Sequence, residues 1–190
     1  MSTLAKTMYD EVEATSKLVN ELINIIDENT VIVCIGTDKC IGDALGPLVG
    51  SMLKQNESFT NKVYGTLEHP IHALNIPAVI PRLKERYSDC TILAIDAAIS
   101  STNPIGTIRL KDTPIKPGAG AGKDLEYIGD YSIVGIVDVS ESPAFILNNI
   151  RLHFIMEMAQ TISNAITTAV ELNRKTVKEN SYKIGGKNYA

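Results

Sequence analysis

Short β-branched runs alternate along the chain with longer segments whose apolar residues recur at helical spacing. Val31–Ile35, Thr91–Ile95 and Tyr131–Val137 are unbroken apolar runs, the pattern of strands buried on both faces. Val63–Thr66 is a shorter candidate strand. Gly106–Leu110 alternates polar with apolar residues and suits an edge or antiparallel strand. Helices are predicted over Tyr9–Asp27, where Leu18, Leu22, Ile25 and Ile26 share a face, and over Asp43–Gln55, through Leu45, Val49, Met52 and Leu53. Asn75–Tyr87 also reads as helical, with a start blurred by Pro77 and Pro81. One long helix is expected over Phe145–Leu172, with Ile155, Met158, Ile162, Ile166 and Ala169 on a face that must be covered. Residues 174–190 read as a polar tail that frays.

Strands that alternate with helices imply right-handed crossovers. The fold class is therefore α/β, a three-layer α/β/α sandwich around a mainly parallel sheet. No internal repeat or linker divides the chain, so residues 1–190 read as one domain, with an N-terminal helix inside 1–28.

Composition narrows the function classes. With 44% apolar and 21% charged residues the chain is an ordinary globular one. A net charge of −4 with scattered lysines and arginines excludes the basic stripe that a nucleic-acid binder needs. No apolar run is long enough to span a bilayer, and the acidic N-terminal segment is no signal peptide. The three cysteines, Cys34, Cys40 and Cys90, form no C-x-x-C pair and read as reduced thiols, so a cytoplasmic location is expected.

In open α/β sheets ligands sit beyond the C-terminal ends of the strands. The loop Gly36–Pro47 and the run Ala94–Ala98 each deliver an aspartate there, Asp43 and Asp96. Asp96 directly follows a buried strand, where an unpaired carboxylate is unfavourable, so it needs a partner, a metal or a shared proton. Asp43 begins a helix, where the dipole favours its ionised form and where a plain capping role competes with a chemical one. A hydrogen bond to the loop backbone is the corresponding bland role for Asp96.

The segment Lys116–Lys123 is glycine-rich but is not a phosphate loop, because Pro117 takes the place of the first glycine and Asp124 follows Lys123. It reads as a loop through which a backbone approaches something closely, by way of Gly118, Gly120 and Gly122. His69 and His72 lack a matched third ligand, and His153 falls inside the long helix, so no metal and no cofactor are expected.

The runs Gly42-Asp-Ala-Leu-Gly-Pro47, Ala94-Ile-Asp-Ala97 and Pro117-Gly-Ala-Gly-Ala-Gly122 occur in this order in the germination protease of spore-forming bacteria. Over roughly Val31 to Ser140 the chain resembles that family. More closely it resembles the shorter YyaC-type sporulation proteins, which are similar to the protease. It is distantly similar to hydrogenase-maturation endopeptidases of the phosphorylase/hydrolase-like architecture. The resemblance implies a two-aspartate peptidase. The catalytic aspartates of the protease carry over to Asp43 and Asp96, with Asp38, Gly118, Gly120 and Gly122 in the loops around a peptide substrate.

Two departures qualify the resemblance. The chain is much shorter than the protease and has no counterpart to its acidic pro-sequence cleavage motif. The glutamate, aspartate and histidine with which hydrogenase-maturation enzymes hold their target's metal are not matched, since Asp43 replaces the glutamate. The expected function is a sporulation-associated, aspartic-type endopeptidase acting on protein or peptide substrates such as spore proteins, in the sporulating cell or forespore. No nucleic-acid or membrane partner is implied, and a homo-oligomer is allowed. The alternative is a non-catalytic relative that binds a sporulation partner through the long C-terminal helix. A third reading makes the aspartates ligands of a metal-dependent peptidase.

Overall fold

The unbroken apolar runs pair as parallel strands and the alternating run pairs antiparallel, as their patterns require. The structure, a computed structural model, describes residues 2–117, 125–138 and 150–185. Its elements are β1 (Thr3–Met8), α1 (Ala14–Leu22), β2 (Val31–Cys34), α2 (Leu45–Gln55), β3 (Lys62–Tyr64), α3 (Ile76–Arg86), β4 (Ile92–Ile99), β5 (Thr107–Lys111), β6 (Tyr131–Asp138) and α4 (Leu152–Gly185). They build one six-stranded sheet in the order β1-β5-β6-β4-β2-β3. The β6-β4-β2-β3 part is parallel, and β5 and β1 extend it antiparallel.

Strand alternation sorts the core into two layers. Ile32, Cys34, Leu93, Ile95 and Ile133 face Leu18 and Leu22 of α1, Leu45, Val49 and Leu53 of α2, and the Ile155–Val170 stripe of α4. Val31, Val33, Ile92, Ala94, Val134 and Ile136 face Ile76, Ile80 and Leu83 of α3. Each such fully buried Leu or Ile contributes about 1.5–3 kcal/mol. The result is the expected α/β/α sandwich around a mostly parallel sheet.

Three elements differ from their predicted bounds. The N-terminal residues Thr3–Met8 form a strand, and the first helix starts only at Ala14. Glu11 explains the delay. Its carboxylate accepts the Thr7 hydroxyl at 2.9 Å and the Met8 N–H at 3.3 Å, and pairs with Lys17 at 2.6 Å, which fixes a turn between strand and helix. Strand β4 runs to Ile99 instead of ending before Asp96, because β6 is long enough to pair with it throughout. Helix α4 continues to Gly185, past Leu172, while the predicted start at Phe145 lies outside the described residues. No helix among the described residues is long and apolar enough to cross a membrane.

Candidate active site

The parallel strands β2 and β4 lie side by side, but their chains leave in opposite directions: β2 leads through α2 to β3, and β4 leads to β5 and β6. Such a switch point opens a crevice beyond the strand ends. Strand β2 gives out at this point. Its last ladder pair is Cys34 with Ile95, and the Ile35 N–H donates to the Ile95 carbonyl at 2.7 Å. Asp96 is therefore the first residue of β4 to pass beyond β2, still paired with Val134 of β6 on its other side. By alternation its side chain leaves the face that Ala94 shares with α3.

The loop after β2 brings back the second carboxylate. Gly36 has φ +134°, a conformation that L residues rarely adopt, and its N–H donates to Ile71 at 2.7 Å. A Cβ on Gly36 would collide with the Asp43 carbonyl. Thr37 N–H donates to that same carbonyl at 3.0 Å, and Asp43 N–H donates to Cys40 at 3.0 Å. The loop is thus closed on itself with Asp43 at its seam, inside a single 3-10 turn, Ile41–Ala44, that contacts β4. Helix α2 can then lie on the end of β2 because Gly46 offers no side chain where the Ile35 backbone passes.

Asp43 does not cap a helix. The cap positions of the 3-10 turn and of α2 are Cys40 and Ala44, and neither uses a side chain. The dipole argument for an easily ionised Asp43 also fails here. Burial dominates and pushes the carboxyl up to about 6, against the pull of the Thr37 backbone N–H. Burial, and then the charge of Asp43, hold Asp96 well above the usual carboxylate range. Only the Ala97 N–H, donating to Oδ1 at 2.9 Å, opposes this. The charge of Asp43 raises Asp96 further, so Asp43 is the first of the pair to ionise and Asp96 holds its proton to higher pH. That is the division of labour a hydrolytic dyad uses.

Other predicted site residues fall less centrally. Asp38 is exposed on the outer part of the Gly36–Asp43 loop. Gly118, Gly120 and Gly122 lie outside the described residues. His69 is exposed beside Glu68, and His72 accepts the Leu74 N–H at Nδ1. His153 is exposed on α4. Among the described residues no group of three His, Cys, Asp or Glu side chains is placed to hold a metal ion.

Two features of this edge are not anticipated from the sequence. Asp138 ends β6 opposite Ile99, and its carbonyl accepts the Ser100 N–H at 3.0 Å. It follows Ile136-Val137 much as Asp96 follows Ile95, and that parallel is the signal by which it could be found. The second is a set of exposed apolar side chains, Ile41, Leu67, Leu74, Ile99 and Ile105, each in a segment that enters or leaves the sheet at this edge.

The chain is 42% identical over 138 residues to the uncharacterized protein YyaC of Bacillus subtilis, an alignment that covers 72% of this chain and 67% of that protein. Among solved structures it is similar to the [NiFe] hydrogenase maturation protease HycI of Thermococcus kodakarensis. That likeness has a TM-score of 0.44 at 15% identity, covers 77% of this chain and 99% of that one, and is too distant to transfer a residue role. The model of the family described as protein of unknown function DUF1256 matches residues 6–165, and the chain belongs to that family.

Proposed function

We propose that the protein is a hydrolase that cleaves peptide bonds with Asp43 and Asp96 as its two-aspartate site. What supports this reading is that the turn carrying Asp43 packs on β4 at the β2–β4 switch point, near enough for the Asp43 charge to raise Asp96. Asp43, ionised first, takes a proton from water as it attacks the scissile carbonyl. Asp96, protonated, donates a hydrogen bond to the carbonyl oxygen and stabilises the charge that develops there. The proton taken up by Asp43 passes to the amide nitrogen as the C–N bond breaks, leaving a carboxylic acid and an amine. The exposed Ile41, Leu67, Leu74, Ile99 and Ile105 suit a polypeptide substrate with apolar side chains. The resemblance of the Asp43 and Asp96 motifs to the germination protease supports a sporulation role, in the cytoplasm of the sporulating cell or forespore.

The test is digestion of a library of unstructured peptides by the purified protein, with products read by mass spectrometry. The reading expects new termini within the library that disappear with Asp43→Asn and with Asp96→Asn. Cleavage that persists in both variants would assign the activity elsewhere.

A second reading keeps the fold without turnover and binds a sporulation partner through α4. It is favoured by the extension of α4 to Gly185, well past Val170, the last residue of that helix among the described residues to join the core. Under that reading both asparagine variants retain full partner binding.

A further inference from the structure

A groove of about 460 Å³ opens at the edge of the sheet opposite the aspartates, between the α1–β2 turn, the entry to β3 and the far part of α4. Its floor is apolar, formed by Ile26 and Val170, both buried. Its walls are two carboxamides with a shared peculiarity. Asn61 Nδ2 donates to the carbonyls of Asp27 at 2.7 Å and Thr30 at 2.9 Å. Asn173 Nδ2 donates to the carbonyls of Ile23, at 2.9 Å, and Ile26. Both N–H groups of each amide are therefore used, and these partners fix which way each amide faces.

Among the described residues no group donates a hydrogen bond to either Oδ1 atom, yet no buried side-chain oxygen there lacks a partner. Both oxygens are therefore accessible, on residues that line the groove. These two amides offer acceptors only, while Asn29, Thr60 and Thr176 also line the groove. The rim adds the carboxylates of Asp27 and Glu28. One Asp27 oxygen is held by the Asn29 N–H and the Thr30 hydroxyl. The rim's arginine, Arg174, is turned to the Ser58 carbonyl at 2.9 Å.

We propose that this groove binds an alkylammonium or alkylguanidinium group. The aliphatic stem would lie on Ile26 and Val170, and the cationic head would donate hydrogen bonds to Asn61 Oδ1 and Asn173 Oδ1 beside the Asp27 and Glu28 carboxylates. The chemistry is that of a free polyamine or of a lysine or arginine side chain on a polypeptide. An anion or a neutral acceptor finds no matching donor on the Asn61 and Asn173 amides. The site is independent of the aspartate pair.

The test is a titration followed by the side-chain amide NMR signals of Asn61 and Asn173, with agmatine, a glycine-flanked arginine peptide and neutral N-butylurea as probes. Agmatine is expected to shift both signals with a dissociation constant of about 1 mM, and Glu28→Lys, a change at an exposed position, to weaken it by about tenfold or more. Shifts with the peptide alone would support the same site with a polypeptide as the source of the cation. Equal shifts with N-butylurea, or none with any probe up to about 10 mM, would overturn the proposal.

Discussion

Replacing Asp43 with asparagine is expected to stabilise the protein at neutral pH while removing its chemistry. Burial raises the Asp43 carboxyl from its ordinary 3.8 to about 6. The folded state therefore binds the proton more tightly than the unfolded chain. Its favourable contribution is fully present below about pH 4 and is lost as pH rises through about 6. At pH 8 the folded protein carries an ionised carboxylate in a place that disfavours it. A tenfold difference in proton affinity between the folded and unfolded chain corresponds to about 1.4 kcal/mol, so the penalty is about 3 kcal/mol. Water reaching the crevice makes that an upper figure. Asparagine keeps the shape and removes the charge. Asp43→Asn should therefore gain about 1–3 kcal/mol at pH 8 and almost nothing at pH 4. Urea denaturation at the two pH values measures this, as a rise in midpoint of about 1 M at pH 8 with an unchanged slope. A variant less stable than the parent at pH 8, or one that gains equally at both pH values, would refute the reasoning.

Four further outcomes follow from the same geometry. Asp43→Asn and Asp96→Asn should each lower turnover by about 10²–10⁴-fold with the fold intact by circular dichroism. Turnover in the parent should rise as pH passes through about 6, where Asp43 ionises, and fall only at higher pH, where Asp96 gives up its proton; a pH–rate profile checks both limbs. Gly36→Ala should destabilise the protein by about 2 kcal/mol or more and reduce turnover although neither carboxylate is altered, because the loop closed by Asp43 must open; thermal melting and kinetics read the two effects together. Leu45→Ala, at a fully buried position that ties α2 to the sheet two residues after Asp43, should cost about 2–5 kcal/mol in urea denaturation.

The sandwich is legible in the sequence because buried parallel strands and amphipathic helices write themselves into local pattern. Val31–Cys34 and Tyr131–Asp138 can hardly be read otherwise. What the sequence hides depends on distant partners. Thr3–Met8 has little intrinsic pattern and becomes a strand only because β5 offers an antiparallel edge, Thr7 opposite Ile108. The length of β4 likewise follows from β6, not from its own residues. Asp43 and Asp96 are visible as carboxylates beyond apolar runs, but their balance is not. The dipole at the start of α2 suggests an easily ionised Asp43, whereas the closed Gly36–Asp43 loop buries it and reverses the sign. The groove at the opposite edge is invisible in the sequence, since Asn61 and Asn173 are brought together only by the tertiary fold and their chemistry lies in which atoms the backbone leaves unpaired.

The central claim is that the aspartate pair hydrolyses peptide bonds. Its most direct test incubates the purified protein with small acid-soluble spore proteins between about pH 5 and 9, beside Asp96→Asn, with products read by intact-mass spectrometry. The account predicts discrete cleavage products that increase through about pH 6 and are absent from the variant. Intact substrate at every pH with folded protein, or identical products from Asp96→Asn, would contradict it.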